Sequence, residues 1–166
     1  MDDGSMTLWA ALVILVGFSA FFSASETAFS SLNQIRLKSR AEDGDSSAAR
    51  VLAMAEQYDK LLSTILIGNN IVNIAAASIG TILFTQMLGA ERGATMSTIV
   101  LTIIVLIFGE VTPKSLAKEM PEKVLSLIHP ALSLLMLVFT PLTWLFSQWK
   151  RFLGHFVHST EEDTIT

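Results

Sequence analysis

Apolar residues fall in four long runs, residues 6–32, 61–88, 94–109 and 124–149, separated by polar stretches. A helix crossing about 30 Å of hydrocarbon needs roughly 17–25 residues, and each run is near or above that length. The third is the shortest and ends at Glu110, so its span is expected to continue through "GEVTP". The pattern predicts three membrane-spanning helices at about residues 7–32, 61–88 and 94–117. Between the first two, "EDGDSS" reads as a turn joining two short helical patterns, "QIRLKSRA" and "AARVLAMAEQY". A pair of short helices outside the membrane is expected there.

The fourth run has a different character. Pro130 and Pro141 interrupt it, and either can bend or break a membrane helix. Its polar residues Ser126, His129, Ser133, Thr140, Thr143 and Ser147 recur at helical intervals and form one stripe. These features predict a bent belt of juxtamembrane helices over about residues 122–155, with Trp144 and Trp149 as interfacial anchors. The alternative is an ordinary fourth span with an outside C-terminus.

Composition supports the membrane reading: 51% of residues are hydrophobic and only 16% charged, with a mean hydropathy of +0.55. A soluble domain of this length carries more charge. The leader "MDDGS" is acidic where a secretory signal is basic, so the first run is expected to stay as a span. Charge placement then orients the chain. Arg36, Lys38, Arg40, Arg50 and Lys60 lie between the first two runs, and Lys114, Lys118 and Lys123 follow the third. Both segments are expected to be cytoplasmic, with residues 1–6 and "GAERG" outside. A fourth span would place Lys150 and Arg151 outside against the same rule, which favours the belt. The net charge of -4 adds little, and without cysteine there is no disulfide, thiolate metal site or thiol catalyst.

Polar residues inside the spans carry the chemistry. Ser19, Ser23, Glu26 and Ser30 share a face of the first span, and "GNNIVN" puts Asn69 and Asn73 one turn apart in the second, with Asn70 beside them. In the third, Thr98, Thr102 and Thr112 share a face with Val105 and Gly109, and the local winding decides whether Glu110 joins it. At about 1.5 Å per residue, Ser23 and Glu110 lie roughly 24 Å from the outer surface and Asn69 roughly 12 Å from the inner one, so all three fall in the inner half. An ionised carboxylate there costs about 2.5–3.5 kcal/mol even on the lenient insertion scale, so Glu110 should face a cavity, a partner or a cation. Gly109 and Pro113 predict a π-bulge or broken turn at "FGEVTP" that frees carbonyl oxygens.

Hydroxyls, amide oxygens, carbonyls and a carboxylate are hard ligands suited to Mg2+ or Na+ rather than zinc or copper. His129, His155 and His158 lie outside the set. Each residue also has a plainer role. Ser19, Ser30, Thr98 and Thr102 suit packing or back-bonding to the i−4 carbonyl, and the asparagines suit interhelical glue. Glu110 can pair with Lys114 one turn on, and Glu26 can be solvated near a span end.

At "FFSASETAFSSLN", "ILIGNNIVNIAAAS" and "IFGEVTPKSLA" the chain resembles the membrane domain of the CorC/CNNM (cyclin M) magnesium transporters, over about residues 8–155. The resemblance implies an all-α integral membrane fold: three transmembrane helices, a cytoplasmic short-helix pair between the first two, and a bent juxtamembrane belt helix. It implies a homodimer in the cell membrane. It implies Mg2+ ligands at Ser23, Asn69, Glu110 and the Gly109 carbonyl, with Ser25, Glu26, Asn70 and Asn73 as lesser candidates. Coupling to Na+ is implied, although no separate Na+ motif stands in this chain. Residues 156–166 are expected to lead into a cytoplasmic CBS-pair module that this chain does not include and through which ATP would act. The expected function is Mg2+ transport, with efflux the favoured direction. A Mg2+-binding sensor or scaffold that regulates another transporter is the alternative. No nucleic-acid partner is expected. Nor is an enzyme, because the chain has no GxxxxGK[ST], HExxH or GxSxG motif and no nucleophile with a paired base.

Overall fold

The computed structural model describes residues 3–165, with side chains through residue 158. Residues 1 and 2 of the expected outer terminus and residue 166 of the tail lie outside the described residues. The described chain is all-α: α1 (Asp3–Ser30), α2 (Gln34–Glu42), α3 (Ser46–Glu56), α4 (Tyr58–Leu88), α5 (Ala90–Ile104), a π-helical segment (Val105–Val111), α6 (Thr112–Glu119), α7 (Pro121–Val138) and α8 (Thr140–Ile165). Helix α5, the π segment and α6 run on as one element from Ala90 to Glu119. Membrane-length helices therefore cover the three predicted spans, each extended or shifted by a few residues at its ends.

Small residues let the long helices approach closely, as is usual where lipid supplies no hydrophobic drive for helix association. Gly68 of α4 lies under the Phe22 ring of α1, and Gly80 faces Leu101 and Ser97 of α5. Gly93 abuts the Thr85 backbone, where an added Cβ would come within 2.5 Å of Thr85 Cα. Gly89, at φ +89°, turns the chain from α4 into α5, a conformation that glycine adopts without strain. At this end Trp9 and Phe84 meet edge to face at 6.3 Å.

At the opposite end, the predicted helix pair forms α2 and α3. Asn33 caps α2 by accepting from Arg36 N, and Asp45 caps α3 by accepting from Ala48 N. Leu37, Ala48, Val51 and Met54 of this hairpin join Phe22, Ala28 and Phe29 of α1 in the main core.

Among the described residues four helices, including α7, are long and apolar enough to cross a membrane by length and composition. Packing separates α7 from the rest. At its start Glu122 pairs with Arg40 at 2.8 Å and Arg36 at 3.6 Å. Its middle buries Leu125 and Leu132 in the core shared with the hairpin. Its last turns, around Ser133 and Leu137, share a cavity with Arg50, Gln57 and Lys60. A helix of 18 residues is about 27 Å long, and α7 packs on the hairpin at its start while Ala131, Leu134 and Leu135 face Ile14, Gly17 and Phe18 of α1. Helix α7 falls where the first half of the belt is expected. The chain bends at Phe139, between α7 and α8, so Pro141 acts as expected. Helix α8 continues past residue 155 to Ile165, and Trp144 and Trp149 are exposed on it.

Pro130 does not break the helix: it sits inside α7, which is assigned without interruption from Pro121 to Val138. A proline lacks the N–H that would bond the carbonyl four residues back, here that of Ser126. The buried His129 ring fills the gap: its Nδ1 lies 3.1 Å from Ser126 O and 3.0 Å from Leu125 O. Both partners are acceptors, so Nδ1 carries a proton.

His129→Leu should destabilise the domain by about 1–3 kcal/mol, the cost of an unsatisfied buried carbonyl. Pro130→Ala restores an N–H beneath it, so the same histidine change in that background should cost less; equal losses in thermal melts of the two backgrounds would refute this account. A second prediction concerns the hairpin, where the Ala48 N–H and then the Arg40 guanidinium hold the Asp45 carboxyl below its usual range. A lowered folded pKa gives stability that is present above the unfolded value and is lost as pH falls through the folded one. Melting temperature should therefore drop as pH falls below about 4, and Asp45→Asn should flatten that acid limb.

Candidate functional site

Helices α1 and α4 and the π segment meet at one polar point. Ser19 of α1, 1% exposed, donates its hydroxyl to Asn69 Oδ1 of α4 at 3.4 Å. On its other side stands Gly109, where an added Cβ would lie 3.0 Å from Ser19 Oγ and 3.3 Å from Ser19 Cβ. A side chain at 109 would be in tight contact with Ser19, and glycine leaves that room free. Three polar or small positions from three spans thus share one contact point, with Ser19 at its centre.

The local winding explains why Gly109 and Glu110 do different things. In residues 105–111 the helix widens, and the Thr112 N–H reaches the Ile107 carbonyl five residues back. One extra residue per turn shifts everything after it around the helix axis. Gly109 is buried against α1, while Glu110 is half-buried at the rim of the contact. The Glu110 carboxylate pairs with Lys114 of the next turn, Oε2 to Nζ at 3.1 Å.

The remaining sequence candidates divide by environment. Ser23 lies one turn beyond Ser19 on α1, 2% exposed, and its hydroxyl has no hydrogen-bond partner. Asn73 Oδ1, one turn beyond Asn69, is likewise buried without a partner. Two unpaired polar atoms in the interior of a span bundle call for an explanation, since such groups are normally satisfied. Ser25 is fully buried and donates to the Phe21 carbonyl at 2.7 Å, which uses its hydroxyl within α1. Asn70 and Glu26 are exposed. Glu26 and Asn69 both line a cavity of about 390 Å³ between α1, α4 and α8, whose far wall is Phe146, Trp149 and Lys150.

Of the hydroxyls expected to back-bond within their helices, three do so: Ser30 to Glu26 O, Thr98 to Ala94 O and Thr102 to Thr98 O. Ser19 departs from that group and reaches across to α4 instead. Its one sequence signal was a place four residues before Ser23 on the same face, which the other serines of α1 share.

Among the described residues no three of His, Cys, Asp and Glu come together. A cation held here would therefore rest on the Glu110 carboxylate with neutral oxygens around it. The unpartnered Ser23 Oγ and Asn73 Oδ1 are oxygens of that hard class, and they fit such a ligand.

Comparison with known proteins places these features in a family. The model of the cyclin M transmembrane N-terminal domain (CNNM) matches residues 10–166. The UPF0053 inner membrane protein YfjD of Escherichia coli is 43% identical over 135 residues, covering 81% of this chain and 31% of its own length. A UPF0053 protein of Haemophilus influenzae is 38% identical over 151 residues, covering 91% of this chain and 36% of its own length. A polyamine export protein of Salmonella typhimurium is 33% identical over 146 residues, 80% of this chain and 32% of the relative. The chain spans about a third of the length of these curated relatives. Matching the family over nearly its whole length, with helices that run where the motifs predict, the chain belongs to the cyclin M (CNNM/CorC) transmembrane-domain family.

Proposed function

We propose that this domain moves a cation across the membrane, and that the cargo is Mg2+ held among Ser23, Asn69, Glu110 and the Gly109 carbonyl. The observation that carries the reading is the pair of buried, unpartnered oxygens, Ser23 Oγ and Asn73 Oδ1, on the faces that border the Ser19–Asn69–Gly109 contact. In an apolar bundle each unsatisfied polar atom is costly, and a bound cation would satisfy both. The π segment adds to this by turning the backbone beside Gly109 out of regular α geometry.

Mg2+ loses its water reluctantly, so it requires several oxygens at once. Neutral oxygens orient it and Glu110 supplies the charge. The cavity behind Asn69 and Glu26 is lined by Leu62 and Ser63 near the hairpin end of α4, and the basic residues of the hairpin favour the cytoplasmic side for that end. On this reading the N-terminus lies outside and the belt lies on the inner face of the cell membrane. A homodimer, Na+ coupling and regulation by ATP through a CBS-pair module are the family's further expectations for the whole protein.

A second cargo has an observation of its own in favour: some relatives of comparable similarity are polyamine export proteins. A polyamine also seeks carboxylate and carbonyl oxygens, but it is long and carries its charges apart. Flux into proteoliposomes separates the readings. Mg2+ movement without spermidine movement supports the first, and spermidine movement alone supports the second. Binding without any flux supports the sensor or scaffold alternative.

Glu110→Gln should abolish Mg2+ binding measured by titration calorimetry while leaving the helical circular dichroism intact. Unchanged binding would sink the site. Gly109→Ala should wedge α1 from the π segment and lower stability by about 1–3 kcal/mol, weakening Mg2+ binding at the same time.

A further inference from the structure

We propose that Lys114 is a tethered counter-cation that occupies the Glu110 carboxylate whenever the site is empty, competes with the cargo for it, and so sets the affinity of the site. The proposal rests on the cation-site reading above and extends it to a residue which that reading leaves without a role.

The geometry is direct. Lys114 Nζ lies 3.1 Å from Glu110 Oε2, one helical turn along, in the order Glu then Lys four residues later that suits a helix. Glu110 is the one carboxylate in the candidate set that is half-buried, and its side chain is 25% exposed. Lys114 is more open, at 44%. This asymmetry decides which partner can leave: the lysine head can swing outward on its four-carbon stem, whereas the carboxylate is fixed to the π segment beside the α1 contact.

A carboxylate at membrane depth needs a positive partner in every state of the protein. When the cargo is bound, the cargo supplies it. When the cargo has left, a bare Glu110 would either hold the domain in one conformation or take up another ion from solution. The Lys114 ammonium supplies the missing charge and leaves no net charge behind. The ammonium has donors to spare, but from its place on Glu110 they do not reach the acceptors Ser23 Oγ and Asn73 Oδ1, so it neutralises the carboxylate without satisfying them. Those two oxygens remain unpartnered while Lys114 sits on Glu110. The lysine therefore stands in for the charge of the cargo and not for its coordination, which lets the cargo displace it.

Competition has a quantitative signature. If the ion pair is formed in about nine of ten cargo-free molecules, only about a tenth are ready to bind, and the apparent Kd is raised about tenfold. Lys114→Met keeps the length and apolar stem and removes the charge. It should tighten Mg2+ binding about tenfold by calorimetry, slow its release in stopped-flow, and lower turnover in proteoliposomes although binding is stronger. Lys114→Arg keeps the positive charge and should stay near the wild-type Kd.

The experiment uses the full-length protein in nanodiscs, with MgCl2 as titrant and Glu110→Gln as control. If Glu110→Gln abolishes binding but Lys114→Met leaves Kd unchanged or weaker, Lys114 is a structural ion pair and the proposal fails while the cation site stands. If Glu110→Gln binds as the wild type does, the cation site itself is wrong and the proposal falls with it. A melting curve accompanies each variant. Should Lys114→Met fail to fold, Lys114→Gln takes its place, and the same tightening is required of it.

Discussion

The contact of Ser19 with Gly109 on one side and Asn69 on the other is what the polar interior of this bundle depends on. It brings α1, α4 and the π segment to a single point, and it exists because two conditions meet there. Gly109 has no Cβ to hold the helices apart, and the Ser19 hydroxyl finds an acceptor across the interface. Lipid offers no hydrophobic reward for bringing helices together, so close packing and interhelical hydrogen bonds have to do it. The same device recurs where Gly68 meets Phe22 and Gly93 meets Thr85, but those contacts are apolar or involve backbone. At Ser19 the contact is polar, and Ser23 Oγ and Asn73 Oδ1, one turn further along α1 and α4, are buried without partners.

The charged hairpin holds the opposite requirement. Arg40 bridges Asp45 of its own hairpin and Glu122 of the belt, at 2.7 and 2.8 Å, and both carboxylates raise its already high pKa, Asp45 foremost. These ion pairs are exposed and each contributes little to stability. They nevertheless fix where α7 begins, and α7 then buries Leu125 and Leu132 against the hairpin and α1. A helix apolar enough to cross a membrane is in this way kept beside the charged end of the bundle. His129 supports its continuity through Pro130, by lending the N–H that proline lacks.

Much of this was legible in the chain itself. The hydrophobic runs located α1, α4 and the Ala90–Glu119 element, because helices in hydrocarbon must satisfy their own backbone and their length is set by the bilayer. The turn chemistry of "EDGDSS" located the hairpin, and Gly109 with Pro113 located the departure from α geometry. Whether Pro130 would break its helix was not legible, since a proline's effect depends on whether a neighbouring side chain can reach the orphaned carbonyl. Ser19 was undervalued for a similar reason. Its spacing is that of Ser23 and Ser30, and only the rotation of α1 against α4 decides which of them bonds across the interface and which bonds back into its own helix.

The sequence by itself determined the elements, their order, the membrane character and the residue types available to hold a hard cation, because periodicity, length and turn chemistry act locally. The tertiary structure alone decided which polar atoms meet. It seated Gly109 on Ser19, left Ser23 Oγ and Asn73 Oδ1 without partners, and set the Lys114 ammonium on Glu110. Those outcomes turn on helix rotation and on the one-residue shift of a π turn, quantities that depend on packing between spans far apart in the chain.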